Sequence, residues 1–128
     1  MTSPETNRLR TLRVAAASAD GVFVDHHFRS TPQFLICDIT PTAAQVVEVR
    51  ANLPATAGVP DDPLGRAVGL VADCAVVLAT RAGSCAAEQL QARGIRCIET
   101  NASIAEAIRW LLTRRPDVLP TTGTLPGH

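Results

Sequence analysis

CAVVLATRAGSCAAEQLQARGIRCI, residues 74–98, specifies the topology of this chain. The uninterrupted apolar run from Cys74 to Ala79 is typical of a strand that is covered on both faces. A helix is then predicted to open at Gly83 and Ser84 and to end at Gly94, which has the position of a C′ glycine. Residues 95–98 form the next predicted strand, and two strands joined through a helix pair in parallel with a right-handed crossover.

Three predicted strands precede this unit, over residues 13–17, 33–39 and 45–50. Because their connections are short, they are expected to form an antiparallel meander. Alternation in the third strand predicts that Val47 and Val49 share one face, while Glu48 and Arg50 share the other.

Two further helices complete the pattern. One is predicted to begin at Asp61-Asp62-Pro63, where an Asp cap precedes a proline. The other begins at a capping box of Ser103 and Glu106. The whole order predicts an α/β fold with a ribonuclease H-like mixed five-stranded sheet (antiparallel meander then βαβαα) and flanking helices.

The length of 128 residues suits one domain. We predict a flexible N-terminal arm over residues 1–11, the folded domain over residues 12–115 and a disordered tail over residues 116–128. Twelve basic and twelve acidic side chains cancel, which argues against a nucleic-acid partner bound by bulk charge. No apolar run is long enough for a membrane span and no signal peptide is evident, so a cytoplasmic protein with reduced cysteines is expected.

The cysteines are widely spaced and form no C-x-x-C pair, which argues against a zinc ribbon or a thioredoxin-type redox motif. We expect Cys37, Cys74 and Cys97 to be small core hydrophobes. The first predicted strand, R-V-A-A-A, carries no carboxylate, although ribonuclease H-type catalysis needs acids to hold its paired metal ions. A nuclease is therefore not expected.

The first candidate site is the loop V-D-H-H-F-R, residues 24–29. Neutral imidazole is a common metal ligand, so His26 and His27 are candidates. Neighbouring side chains of an extended backbone point in different directions, so one histidine is expected to ligate and the other to be incidental. The alternative is that both histidines are solvated and that Phe28 simply anchors the loop in the core.

The second candidate site is the junction between the strand of residues 74–79 and the following helix. The open N–H groups of a helix start attract anions, and Arg81 adds a positive charge. Gly83 allows close backbone approach, Ser84 can cap the helix, and Cys85 lies in the first turn, where thiolates are stabilised. The alternative is a plain strand–helix junction with Ser84 as the cap.

Several segments together point to one family. They are V-A-A-A-S-A-D-G, V-D-x-H-F, F-L-I-C-D, L-V-A-D-C-A-V-V-L-A, and A-G-S-x-A-A with a later G-I. Over about residues 12–112 the chain resembles the NifX-type nitrogenase cofactor-biosynthesis family, which includes NifX, NifY, NafY and the C-terminal domain of NifB.

The resemblance implies a ribonuclease H-like carrier rather than a catalyst. Its cargo would be the iron-molybdenum cofactor or its iron-sulfur precursor (a NifB-type cluster), bound transiently. Its partners would be NifB-like and NifEN-like scaffold proteins and apo-dinitrogenase. The family's D-x-H-F histidine acts as a cluster ligand, and this role falls on His27, with His26 at the variable position. Arg29 stands where the family usually has glycine, and Cys85 is not a family ligand, so its coordination is a hypothesis based on thiolate affinity for iron.

The resulting hypothesis joins the loop and the junction into one site. His27 would ligate the cluster, and Asp25 would orient it through the second ring nitrogen. Arg29 and Arg81 would offset the negative charge of the cluster, and the helix start would donate N–H groups. The two segments should therefore lie together at one end of the sheet. The alternative is a protein–protein adaptor in nitrogenase assembly that binds no cluster.

Overall fold

The computed structural model describes residues 11–40, 43–54, 58, 61–114 and 122–124. These contain six strands, which are β1 Leu12–Ala17, β2 Gln33–Ile39, β3 Ala44–Ala51, β4 Val76–Ala79, β5 Arg96–Glu99 and β6 Thr122–Thr124. They contain three helices, which are α1 Pro63–Leu70, α2 Ser84–Ala92 and α3 Ile104–Arg114. None of the helices in the described part of the chain combines the length and the apolarity that crossing a membrane requires.

The strands form one mixed sheet in the order β3-β2-β1-β4-β5-β6. β1, β2 and β3 pair antiparallel, as the meander predicted. β4 lies parallel to both β1 and β5, as the strand–helix–strand unit predicted. The α/β fold and its mixed sheet of β1–β5 are therefore confirmed, and the strand order is compatible with the ribonuclease H-like arrangement.

The short strand β6 pairs parallel with β5 and extends the sheet beyond the five predicted strands. Its three residues belong to the tail that was predicted to be disordered, so for Thr122–Thr124 the structure corrects that prediction. The physical reason is that the outer edge of β5 offers backbone groups to pair, and threonine suits a strand. The rest of the tail, residues 116–121 and 125–128, and residues 1–10 of the predicted arm lie outside the described residues.

Alternate residues of β1 belong to two core layers on opposite faces of the sheet. Val14 and Ala16 pack in the layer that contains the buried residues of α3. Ala15 and Ala17 pack in the layer that contains the buried residues of α1 and α2. Both faces are covered, which explains why β4 is apolar throughout. Cys37, Cys74 and Cys97 are buried in these layers, as predicted.

The helix ends confirm most of the signals in the sequence. The Asp62 side chain caps α1 by accepting from the Gly65 N–H at 3.0 Å. Gly94 follows α2 with a φ of 76°, a conformation that favours glycine. The Ser103 hydroxyl caps α3 by accepting from the Glu106 N–H at 3.1 Å and donates to the Glu106 carboxylate at 3.0 Å.

The edge strand β3 contains a bulge that the sequence did not predict. Val46 lies opposite Cys37 and Val49 lies opposite Leu35, while Val47 is the extra residue between them. Cys37 and Leu35 face the α3 layer, so Val46 and Val49 share that face. Val47 has no partner on β2, so the period of two from which a shared face of Val47 and Val49 was predicted is interrupted at Val47.

Candidate functional site

The histidine loop, residues 24–31, is hydrogen-bonded to the strand–helix junction, residues 80–85. The Thr80 N–H donates to the His26 carbonyl at 3.0 Å. The Phe28 N–H donates to the Arg81 carbonyl at 2.8 Å. The two segments that the sequence singled out therefore lie together, at the carboxyl end of β4, where α/β folds place their ligands.

Further contacts fix the backbone of the histidine loop. The Phe28 side chain is fully buried, and its ring centroid lies 5.6 Å from that of Phe34. The Asp25 N–H donates to the Ala17 carbonyl at 3.2 Å, at the end of β1. Phe28 is thus the core anchor that the alternative interpretation expected, and its burial positions the residues on either side of it.

The far end of the loop is held by polar groups that sequence reasoning missed. Thr31 is buried, and its carbonyl accepts from the Asn52 side chain at 2.8 Å. The Arg66 guanidinium of α1 donates in turn to the Asn52 side chain at 2.7 Å. Nothing in the sequence marks Asn52, since its role depends on burial between three segments that are distant along the chain.

The two histidines have different surroundings. His27 is exposed, and its carbonyl accepts from the Thr31 N–H at 3.1 Å. His26 is half-buried, and its Nδ1 lies 2.7 Å from Asp25 Oδ1. The sequence hypothesis expected Asp25 to orient His27, whereas the structure places the Asp25 carboxylate on His26. The chain bends at His26, so the side-chain directions of a regular strand do not apply there.

The start of α2 has no side-chain cap. Gly83 is the N-cap residue, with φ 84° and ψ 163°, and Ser84 is the first helical residue. The prediction that Ser84 caps the helix is therefore wrong. A Cβ on Gly83 would meet no protein atom within 4 Å, so within the protein this position needs glycine for its positive φ and not to relieve crowding. The first-turn N–H groups of an uncapped helix attract anions.

Charged residues lie in the segments next to this helix start. Arg81 lies in the junction and Arg29 in the loop; both are exposed, and neither forms an ion pair with another residue that the structure describes. The Glu99 carboxylate accepts from the Ala82 N–H at 3.0 Å, a contact that sequence reasoning missed. The sequence signal for this contact was that Glu99 is the last residue of β5, the parallel neighbour of β4. The carboxyl ends of neighbouring parallel strands lie at the same end of the sheet.

No ready-made chelate site accompanies these groups. Within the described part of the chain, no three His, Cys, Asp or Glu side chains converge as the ligands of a metal ion would. Cys85 lies in the first turn of α2, as predicted, where it is exposed and forms no disulfide bond. The site therefore offers scattered nitrogen, sulfur and N–H groups with positive charge, which is unlike a closed cage for a single ion.

A second cluster of charges joins the first three strands to the segment before β4. Arg13 binds Asp38 through two hydrogen bonds of 2.9 and 3.0 Å and Asp73 through one of 3.0 Å. Arg50 binds Asp73 at 2.6 and 2.9 Å. Hydrogen bonds from Arg50 and then Arg13 hold the pKa of Asp73 well below its usual range. These groups link β1, β2 and β3 to the segment before β4 and belong to the scaffold.

Comparisons with known proteins bear on the family and on the fold. Residues 10–114 match the family model described as "Dinitrogenase iron-molybdenum cofactor". Protein NifX from Azotobacter vinelandii is 34% identical over 102 residues, which are 78% of this chain and 65% of that protein. The chain thus spans less than two-thirds of that relative. The crystal structure of PH0822 is similar in fold, with a TM-score of 0.61 and 22% identity over 80% of this chain and 90% of that one.

Proposed function

The chain belongs to the dinitrogenase iron-molybdenum cofactor family, and we propose that it acts in nitrogenase cofactor biosynthesis as a non-catalytic carrier. Its cargo is the iron-molybdenum cofactor or its iron-sulfur precursor, bound transiently. The observation that carries the proposal is the hydrogen-bonded contact between the histidine loop and the strand–helix junction. This contact brings imidazole, guanidinium and helix N–H groups to one end of the sheet.

Each group in the site has a role that suits an anionic metal cluster. The exposed His27 supplies imidazole to a cluster metal. Arg29 and Arg81 offset the negative charge, and the uncapped start of α2 donates N–H groups to sulfide or carboxylate. Cys85 supplies a further thiolate from the first turn of α2. Ser84, next to it, lines the site.

The sparse ligand set favours a carrier over a permanent holder. A cluster brings its own inorganic sulfide, so a few protein ligands suffice to hold it. Within the described residues no three metal-ligating side chains converge, and a cargo held by few bonds is released more readily than one in a cage of four thiolates. The proposed donors and acceptors are NifB-like and NifEN-like scaffolds and apo-dinitrogenase, in the cytoplasm.

The test is anaerobic uptake of isolated iron-molybdenum cofactor, measured as the metal-to-protein ratio after gel filtration. We expect wild type to retain cofactor, and His27→Ala and Arg81→Gln to retain less. Arg93→Gln is the matched control, because it removes the same charge at the opposite end of α2. Wild-type retention by His27→Ala would contradict the ligand assignment, and no retention by wild type would contradict the carrier function.

A second candidate, a protein–protein adaptor without cofactor, is favoured by the exposed apolar side of β3. Val46 and Val49 share one face and each is 53% exposed. Surface valines next to one another on an edge strand suit contact with another protein. Binding to a nitrogenase assembly protein that persists without cofactor, in a chain that takes up none, would support this function in place of the carrier.

A further inference from the structure

We propose that His26 is a second metal ligand of the cargo site and that Asp25 holds it in position. The inference rests on the carrier function proposed above and names a ligand for it. His26 stands at the position where the D-x-H-F pattern allows any residue, so the pattern assigns it no role. Its geometry, in contrast, is that of a prepared ligand.

The contact with Asp25 defines which ring nitrogen of His26 is available. Nδ1 lies 2.7 Å from Asp25 Oδ1. An aspartate carboxylate can only accept hydrogen bonds, so Nδ1 carries the hydrogen. In the neutral ring the lone pair is then on Nε2, which is the atom free to bind a metal. Metal-bound imidazoles commonly donate their other N–H to a carboxylate in this way.

Both members of the pair are fixed by the backbone around them. The same Asp25 oxygen accepts from the Ala19 N–H at 3.0 Å, and the Asp25 N–H donates to the Ala17 carbonyl. The His26 carbonyl accepts from the Thr80 N–H of the junction. The His26 ring therefore loses little freedom when it binds a metal, which favours ligation.

The side chain of His26 is also accessible. It is 36% exposed and lies on the loop that contacts the strand–helix junction. His27, in contrast, is exposed without a hydrogen-bond partner for its ring among the residues that the structure describes. The two imidazoles thus differ in their role, because the His26 ring is oriented before the cargo binds and the His27 ring is free to rotate towards it.

The experiment compares His26→Ala, His27→Ala and Asp25→Asn with wild type, using isolated iron-molybdenum cofactor and protein labelled with ¹⁵N-histidine. Asp20→Asn is the matched control, because Asp20 caps the same turn through the Val22 and Phe23 N–H groups and touches no histidine. Retained metal gives affinity, and pulsed electron paramagnetic resonance counts the coupled histidine nitrogens.

We expect two coupled histidine nitrogens in wild type and one in each alanine variant. Asp25→Asn is expected to weaken cofactor binding about tenfold or more, as loss of an orienting carboxylate does, while Asp20→Asn binds as wild type does. In the cofactor-free protein, long-range ¹H–¹⁵N spectra should show His26 with its hydrogen on Nδ1.

Two results would overturn the inference alone. One is unchanged retention and unchanged nitrogen couplings in His26→Ala while His27→Ala loses cofactor, in which case the carrier function stands. The other is a His26 ring that carries its hydrogen on Nε2. A wild-type protein that takes up no cofactor would overturn the carrier function, and the His26 role with it.

Discussion

Phe28→Ala tests whether one buried ring holds the histidine loop against the sheet. Phe28 lies between His27 and Arg29 in the sequence. Its ring is completely buried, and the ring centroid lies 5.6 Å from that of Phe34. Truncating a core phenylalanine costs about 3–5 kcal/mol of unfolding free energy. The total free energy of unfolding of a small domain is about 5–15 kcal/mol. The variant is therefore expected to fold, with a much lower urea midpoint than wild type.

Phe34→Ala is the matched control for this prediction. Phe34 is equally buried and packs against the Phe28 ring, but it belongs to β2 and not to the histidine loop. Its truncation should cost a similar free energy. The double variant should be less destabilised than the sum of the two single variants by about 0.5–1.5 kcal/mol, because either truncation already removes the aromatic pair.

The assay is urea unfolding of each variant, followed by cofactor retention per folded molecule. We expect Phe28→Ala to lose cofactor retention because the histidine loop is released from the core. Phe34→Ala should keep cofactor retention because the Phe28 ring still anchors that loop. Two results would refute the reasoning. One is a cost below about 1 kcal/mol for Phe28→Ala, and the other is equal loss of retention per folded molecule in both variants.

Glu99→Gln keeps a side-chain oxygen for the Ala82 N–H but removes a negative charge from the start of α2, so cofactor retention should rise at low salt and the gain should shrink as salt is added; equal retention at all salt concentrations would contradict this. The pKa of Asp73 is lowered in the folded state, so its stabilising effect is present above the unfolded pKa of about 3.9 and is lost as pH falls below that value. Urea midpoints of wild type and Asp73→Asn should therefore differ at pH 7 and converge towards pH 2, and a constant gap would speak against the ion pairs as the cause. Iodoacetamide should modify Cys85 alone in the folded protein, as mass spectrometry of peptides would show. The thiols of Cys37, Cys74 and Cys97 are protected by burial, which also raises the pKa of Cys74 and of Cys97 to about 12.

The strands and helices were readable from the sequence where a local rule determines them. The apolar run 33–39 became β2 with the predicted bounds, and Asp62 and Ser103 cap their helices as their types suggest. The bulge at Val47 could not be predicted from the sequence, because the same residues suit a regular strand and a bulged one. How β3 pairs with β2 decides between the two. Gly83, and not Ser84, is the N-cap residue of α2, because the chain turns there with a positive φ.

The site was readable as two segments and not as a set of contacts. Imidazoles, arginines and a glycine before a helix stand out by residue type, and the parallel unit implies that their segments share an edge of the sheet. The partner of Asp25 was assigned to the wrong histidine, since a bend at His26 redirects one side chain. Glu99 and Asn52 were missed because their contacts join residues that are far apart in the chain.

The hydrogen bonds between the histidine loop and the junction use peptide groups only. A peptide N–H or carbonyl is the same whatever side chain its residue carries, so the frame does not depend on which residues occupy positions 26, 27 and 29. These positions can exchange ligands by single mutations while Phe28 keeps the frame in register with the sheet. A thiolate or a carboxylate could thus replace an imidazole at these positions without a change in the fold of the domain.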